Sequence, residues 1–586
     1  MRKTKIVCTL GPATNNVETI KELIKVGMDA ARINFSHGDY ESHKVVIQNL
    51  KQAREELSAP VSLILDTKGP EIRIGDFKES SVYLEQGKKF VLTTKEITGD
   101  AGIVHVNYRD LPRDLKVNSR VLIDDGLIEL KVINLTDTDI ECEVINSGFL
   151  SSKKGVNVPD VYVNLPSLTK KDIEDIKFGI EQGFDFIAAS FIRSAKDVLK
   201  IREVLEENNG FDVKIIAKIE SRDGVNNIDS ILQVSDGIMV ARGDLGVEIP
   251  PEEVPLVQKL LIRKSNEQGK PVITATQMLE SMVNNPRPTR AEANDVAHAI
   301  FDGTDAVMLS GETAKGSYPL ESVSMMSRIS VRTEKSIDYL KGIYNHHLKF
   351  KTNITNAIAY AACTTAADIE ATCIIAITNS GITPRMVSKF RPSCTIYALT
   401  SNPSVWRQLN LTWGCVPDLS EQLKSTGGTY NFAVDKSLDK GLTKKGDYAI
   451  IVAGVPVGVV GATNLLKVET VGDILLKGKG IGERVISGTS NVIRVTEQAE
   501  VYFKQGDILV TRKTSDELLP YIKKCSAMIV GSDIPEVYDH AETVAKALDI
   551  PLIICNEKVI DVIPNGCHIT VDSKNGFVYN GNKVMK

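Results

Sequence analysis

Eight short runs of β-branched and small apolar residues, each closing on polar or charged side chains, set what this chain can fold into. They are KIVCTL (5–10), DAARINF (29–35), VSLILDT (61–67), FDFIAASF (184–191), VKIIAKIE (213–220), GIMVARGD (237–244), PVITATQ (271–277) and AVMLSGE (306–312). Near-continuous apolar runs of this length mark strands covered on both faces, as in a parallel sheet. Between them lie stretches of helical period such as VETIKELIKVG, SHKVVIQNLKQAREEL and EEVPLVQKLLIRKSNEQG. Several open on Ser, Thr or Asn and close on Gly, the usual punctuation of helices. Strands alternating with helices in this way predict an α/β fold built on a (β/α)8 TIM barrel.

The spacing breaks once. The third run ends at Thr67, yet its helix starts only near Thr169, and the interval holds VYLEQGKKFVL, RVLIDDGLIELKV and DIECEVI between Gly, Asn and Asp turns. This predicts an inserted all-β domain at residues 70–166, placed as a lid on the carboxyl face of a barrel formed by 1–69 and 167–340. A long amphipathic helix is expected from about Pro319 to Leu340. Residues 341–474 read as an open α/β domain, and a Gly-rich hinge, LLKGKGIGER, leads into a small mixed domain at 475–586. The uncharged stretch Tyr448–Leu466 is long enough to span a bilayer. Gly454, Pro456, Gly458 and Gly461 interrupt it, so two buried strands around a turn are expected instead.

Composition narrows the function. With 70 Lys and Arg against 75 Asp and Glu the net charge is -5, lacking the basic excess of a duplex-binding protein. Nine scattered cysteines without a Cys-x-x-Cys pair, and an amino terminus without a signal-peptide pattern, point to a cytoplasmic chain that binds neither nucleic acid nor membrane.

In a barrel of this kind functional groups gather at the carboxyl ends of the strands. Here those ends carry Arg32, Asn34 and Ser36; Asp66 and Thr67; Lys218 and Glu220; Arg242, Gly243 and Asp244; Thr274 and Thr276; and Ser310 and Glu312. Alternate residues share a face, so Arg32 with Asn34, and Lys218 with Glu220, can enter one pocket. Arg32, Lys218 and Arg73 suit anionic oxygens. Asp66, Glu220 and Asp244 would repel the same anion unless a metal lay between, and carboxylates beside phosphate oxygens are the usual setting of Mg²⁺. No zinc motif, Walker loop or kinase Gly-rich loop is present.

The stretches KIVCTLGP, ARINFSHG, LDTKGPEIR, SKKGVNVP, IIAKIESRDGV, MVARGDLGVEIP, ITATQMLESM and DAVMLSGETAKGSYP closely resemble the pyruvate kinase family, in order over residues 1 to 471. The resemblance implies phosphoryl transfer from phosphoenolpyruvate to ADP. It implies Mg²⁺ on Glu220 and Asp244, with Lys218 stabilising the transferring phosphoryl group and Arg32 gripping the phosphate. The Gly243 backbone and the Thr276 hydroxyl would hold the substrate carboxylate, with Thr276 also on the proton route. Asn34, Ser36, Asp66 and Thr67 match the family's K⁺ site, and Glu71 matches its potassium-dependent members. Arg73 and Lys154 resemble nucleotide-phosphate contacts, while His37 is expected to be structural. The loop Thr378, Asn379, Ser380, Gly381 and Thr383 matches the site of a phosphorylated allosteric effector, and a homotetramer is usual in the family.

The tail from about 478 is similar to the swivelling phosphohistidine domain of phosphoenolpyruvate-utilising enzymes, through DHAETVAKALDIPLII and His540. In that family Thr-Ser precedes the His; here Tyr538 and Asp539 do, which argues against a phosphocarrier. Two other readings stay open at this point: a phosphoenolpyruvate synthase-like enzyme using His540, and a non-catalytic sensor of phosphometabolites.

Overall fold

Side chains alternate strictly along each barrel strand, and that alternation builds two separate layers of core. The computed structural model describes residues 1–161, 163–347, 353–420, 426–454, 463–472, 474–495, 503–531, 536–555 and 559–581. They fall into two units, Met1–Cys363 with Ala376–Gln422 and Ala453–Asn464, and Thr364–Ile375 with Leu423–Val452 and Leu465–Lys586.

In the first unit eight strands close into a barrel: β1 (Lys5–Thr9), β2 (Ala30–Asn34), β3 (Ser62–Asp66), β4 (Phe186–Ala189), β5 (Lys214–Ile219), β6 (Gly237–Ala241), β7 (Val272–Ala275) and β8 (Ala306–Leu309). Every neighbouring pair is parallel. Val7, Ala30, Ile64, Phe186, Ala188, Ile216, Met239, Ile273, Ala306 and Met308 form one buried cluster, the filled interior. Their sequence neighbours Ile6, Cys8, Ala31, Leu63, Leu65, Ile187, Ile215 and Ile238 belong to a second cluster under the surrounding helices. Those helices start where side chains can cap them. Asp39, Thr169 and Thr289 each accept a backbone N–H three residues on.

Between β3 and the helix Lys170–Glu181 lies the inserted sheet. Its strands run in the spatial order Val156–Asn157, Arg120–Ile123, Ile128–Leu135, Asp139–Val144, Lys89–Thr93 and Ile103–His105, around their own core of Phe90, Leu92, Val121, Leu130 and Ile140. At the opposite, amino-terminal end of the barrel, Leu411 joins the interior cluster. Arg407 Nε meets Asp185 Oδ1 at 2.8 Å, and Lys5 Nζ donates to the Cys415 carbonyl at 2.7 Å. The strands Thr395–Thr400 and Cys415–Leu419 pair in parallel there.

The second unit holds an eight-stranded mixed sheet in the order Ile474–Lys477, Phe577–Asn580, His568–Asp572, Val485–Ile493, Ile508–Thr511, Ala527–Gly531, Leu552–Cys555 and Lys479–Ile481.

Three expectations need correction. Strand β6 stops at Ala241, and Arg242–Glu248 is a short helix, so Gly243 and Asp244 sit on its first turn and not on a strand. The helix expected to reach Leu340 is two helices, Pro319–Glu334 and Tyr339–His347. Asp338 breaks it by accepting the Lys341 N–H at 3.1 Å and so capping a new start. The Gly-rich segment expected as a hinge forms strands. A Cβ on Gly480 would collide with the Ser573 carbonyl and one on Gly478 with the Ile554 carbonyl, so the glycines permit close backbone packing. Tyr448–Gly454 and Thr463–Thr470 are strands, and the expected turn between them lies outside the described residues. Among the described residues no helix is long and apolar enough to cross a membrane.

Candidate active site

The parity that fills the barrel interior continues past its apolar layers. Arg32 follows Ala30, Asp66 follows Ile64, Ser190 follows Phe186 and Ala188, and Lys218 and Glu220 follow Ile216. All five therefore converge at the carboxyl mouth. Lys218 Nζ lies 3.0 Å from Asp66 Oδ1, 3.0 Å from Glu220 Oε1 and 2.7 Å from Ser190 Oγ. Arg32 Nε donates to Asp66 Oδ2 at 2.6 Å, and its Nη1 to Thr9 Oγ at 3.0 Å. Glu220 Oε2 accepts the Phe191 N–H at 2.6 Å. Arg32 and Lys218 are each 9% exposed, Glu220 2% and Asp66 1%, so these charges interact with little screening by water.

Their protonation follows. Burial alone would discharge Lys218, but Asp66 and Glu220 outweigh it and raise its pKa above the ordinary lysine range. Burial likewise pushes Asp66 up, and Arg32 with Lys218 more than reverse this, holding it below the usual carboxylate range. Glu220 goes the other way. Burial drives it up to about 7, with Asp244 adding repulsion that Lys218 and the Phe191 N–H only partly offset. Asp244 is raised by burial too, against Lys218 and with further repulsion from Asp125, Glu71 and Asp66.

Gly243 and Thr276 meet at the neighbouring mouth, where the Gly243 N–H donates to Thr276 Oγ at 2.8 Å. Thr276 has φ +68° and Gln277 +52°. A β-branched residue in the left-handed region is strained by about 1–3 kcal/mol. Arg242 holds it there, donating from Nη2 to the Thr276 carbonyl at 2.6 Å while Nη1 meets Asp295 at 2.7 Å.

Asn34 and Asp66 are register partners on β2 and β3. Asn34 Oδ1 accepts the Ser36 N–H at 3.1 Å, and the Thr67 carbonyl accepts from Ser190 Oγ at 2.6 Å. On the lid, Arg73 Nε meets Glu71 at 2.6 Å and Lys154 Nζ meets Asp124 at 2.9 Å. In the loop at 378–383, Thr378 Oγ accepts the Gly381 N–H at 2.9 Å, Thr383 Oγ pairs with Thr463 Oγ at 2.8 Å, and the Ser380 carbonyl accepts from Arg385 at 3.0 Å. Other strand-end residues serve the scaffold. Thr274 pairs with Thr304 at 2.9 Å, and Glu312 accepts the N–H groups of Leu279 and Ser310 at 3.0 and 2.7 Å. His37 is exposed. His540, on the helix Glu536–Leu548, shares a hydrogen bond of 2.8 Å between Nδ1 and Thr514 Oγ.

Two groups in the pocket were not anticipated: Ser190, which joins Lys218 to the Thr67 carbonyl, and Thr9, which fixes Arg32. The strand parity of FDFIAASF would have pointed to Ser190.

The pocket's charge balance tests the expected cations. Asp66 and Glu220 pair with Arg32 and Lys218, Asp244 has Lys218 opposite it with Asp125, Glu71 and Asp66 repelling it, and Glu220 and Asp244 are raised by burial. Among the described residues no group of three or more His, Cys, Asp or Glu is gathered tightly enough to hold a metal alone. A buried carboxylate, Glu220, beside the half-buried Asp244, with surplus negative charge, fits Mg²⁺, which rarely takes an all-protein cage and draws other ligands from substrate and water. The carbonyl, hydroxyl and carboxylate oxygens of Asn34, Ser36, Asp66 and Thr67, adjacent across β2 and β3, fit a hard monovalent cation.

Comparison with known proteins agrees with this geometry. Residues 1–323 match the model "Pyruvate kinase, barrel domain", 356–469 match "Pyruvate kinase, alpha/beta domain", and 503–576 match "PEP-utilising enzyme, mobile domain". The chain is 48% identical over 583 residues to pyruvate kinases of Bacillus licheniformis and of Geobacillus stearothermophilus, and 45% identical to one of Staphylococcus aureus. Each comparison covers 99% of both chains. A solved pyruvate kinase structure from Cryptosporidium parvum superposes with a TM-score of 0.77 at 42% identity, covering 80% of this chain and 96% of that one.

Proposed function

The chain belongs to the pyruvate kinase family and is a phosphotransferase, and from that premise we propose that it moves the phosphoryl group of phosphoenolpyruvate to ADP with the Lys218 cluster as its centre. The observation that carries the assignment is one ammonium held charged among Asp66, Glu220 and Ser190 at the carboxyl mouth of the barrel. A fixed cation in a water-poor site stabilises charge that develops on the phosphoryl oxygens without reorganising. Arg32, anchored by Asp66 and Thr9, presents the rest of its guanidinium to the same phosphate. The Gly243 N–H and the Thr276 hydroxyl, already aligned with each other, receive the substrate carboxylate, and Thr276 lies on the route that protonates the enolate. On the lid Arg73 and Lys154 exchange Glu71 and Asp124 for nucleotide phosphates.

Glu220 and Asp244 are the residues that would hold Mg²⁺, and Asn34, Ser36, Asp66 and Thr67 those that would hold K⁺, with Glu71 marking the potassium-dependent class. Bound there, these ions supply positive charge against two anionic reactants. The division into a barrel (1–69, 167–340), lid (70–166), α/β domain (341–474) and extra domain (475–586), a cytoplasmic location, a phosphorylated effector on the loop at 378–383 and a homotetramer belong to the same reading. The division rests on the spacing of strands and helices and the location on cysteine usage, while the effector and the homotetramer rest on family resemblance. His540 takes no part in it. The test is pyruvate formation from phosphoenolpyruvate that requires ADP, Mg²⁺ and K⁺ together. Turnover without ADP would overturn the reading.

A further inference from the structure

At the amino-terminal end of the barrel, away from the site above, a cavity of about 170 Å³ opens among Lys214, Asp236, Gln268, Lys270, Arg385 and Met386. Its charges do not balance. Asp236 Oδ2 already accepts from Arg202 Nη2 at 2.6 Å and from the Ile215 N–H at 2.9 Å. Among the described residues Lys270 Nζ hydrogen-bonds only carbonyl oxygens, Leu232 O and Ser235 O. Arg385 donates from Nη2 to the Ser380 carbonyl at 3.0 Å, and among the described residues no carboxylate lies within ion-pair reach of it. Lys214 is half-buried near Asp236, and among the described residues its side chain has no hydrogen bond or ion pair. Three cations thus line a cavity whose one carboxylate, Asp236, is ion-paired to a fourth cation, Arg202, so positive charge is in surplus. Burial pulls Lys270 and Arg385 below their ordinary pKa values, and the one nearby carboxylate, Asp236, only partly offsets it.

We propose that this cavity is a binding site for a small oxyanion, a phosphate- or carboxylate-bearing molecule held by Arg385, Lys270 and Lys214. The volume is below the roughly 300 Å³ at which drug-sized ligand pockets begin, so the occupant is a small anion and not a nucleotide. Such an anion competes with the Ser380 carbonyl for the Arg385 guanidinium. The Ser380 carbonyl lies in the turn Thr378–Gly381, where Gly381 has φ +78° and its N–H is held by Thr378. The site is independent of the catalytic assignment, and neither result bears on the other.

The test uses the full chain with ¹³C-methyl methionine. Met386 lines the cavity and packs on Gly269, so its methyl resonance, assigned with Met386→Leu, reports occupancy. Inorganic phosphate and malonate are titrated separately at ionic strength held constant with NaCl. The expected result is a saturable shift of the Met386 methyl with one or both, weakened about tenfold or more in Arg385→Gln and in Lys214→Gln, and retained in Thr378→Ala. A response to phosphate alone marks a phosphoryl ligand, and one to malonate alone a carboxylate ligand. No shift, an equal shift with NaCl, loss of the shift in Thr378→Ala, or a shift unchanged in Lys214→Gln would overturn the proposal. Lys214→Gln alters a half-buried side chain that makes no hydrogen bond or ion pair among the described residues, and carries the test should Arg385→Gln fail to fold.

Discussion

Lys218→Met removes one charge at nearly constant length, and the structure fixes what is lost with it. The ammonium sits 3.0 Å from Asp66 Oδ1, 3.0 Å from Glu220 Oε1 and 2.7 Å from Ser190 Oγ, on a side chain 11% exposed. Asp66 keeps Arg32 after the change, but Glu220 keeps only the Phe191 N–H. Breaking a buried ion pair from one side costs about 3–5 kcal/mol. Glu220, already raised toward neutrality by burial, limits that cost by taking a proton. A loss of about 3 kcal/mol lowers the melting temperature by roughly 6–12 °C for a domain of this size. The kinetic loss is separable and larger. A preorganised cation at a transferring phosphoryl group contributes on the order of 10³-fold in kcat, about 4 kcal/mol of barrier. The assay is initial-rate pyruvate formation at saturating phosphoenolpyruvate and ADP, well below the variant's melting temperature. kcat should fall about 10³-fold while KM for phosphoenolpyruvate changes far less, since the interaction is strongest in the transition state. Lys218→Arg should recover much of the melting temperature and little of the rate, because a planar guanidinium cannot occupy the point shared by three oxygens. A folded Lys218→Met turning over within tenfold of the parent would refute the role.

Ser190→Ala should reduce kcat by about 10–150-fold, the worth of one buried charge-assisted hydrogen bond of about 1.5–3 kcal/mol, with KM for ADP unmoved; an unchanged kcat would remove Ser190 from the site. Arg407→Ala strands the carboxylate of Asp185, which is 1% exposed and already raised by burial against Arg407, and should cost about 3–5 kcal/mol at neutral pH. An acid whose folded pKa is raised stabilises the fold below its ordinary value near 3.8 and loses that contribution as pH rises through the folded value. The melting gap between Arg407→Ala and parent should therefore be wider at pH 7.5 than at pH 5, and a gap that widens toward acid would contradict the burial argument. Replacing K⁺ by tetramethylammonium should abolish most activity, and full rates in that buffer would mean that Asn34, Ser36, Asp66 and Thr67 hold no monovalent cation.

What could be read in the chain without coordinates was whatever period and local chemistry encode. Eight apolar runs with helices between them specify the barrel because a doubly covered parallel strand tolerates few polar residues until its end. For the same reason the polar ends stood out, and Arg32, Asp66, Lys218 and Glu220 do converge. Ser190 escaped notice because a single hydroxyl after FDFIAA looks like any strand exit; only its parity with Phe186 and Ala188 turns it inward.

Partnerships are harder than positions. Asp66, expected as a potassium ligand, has both carboxylate oxygens engaged, one by Arg32 and one by Lys218 across 152 residues of sequence. That pairing exists only once the barrel closes and sets β2, β3 and β5 around one mouth. Thr276 shows the limit most clearly. Local propensity places a threonine after ITA in an extended conformation, yet Arg242 and the Gly243 N–H hold it at φ +68°. Those partners are available because β6 ends at Ala241 and a helix begins one residue later. The conformation that aims the Thr276 hydroxyl is thus decided on the neighbouring strand, where no pattern local to residue 276 could reveal it.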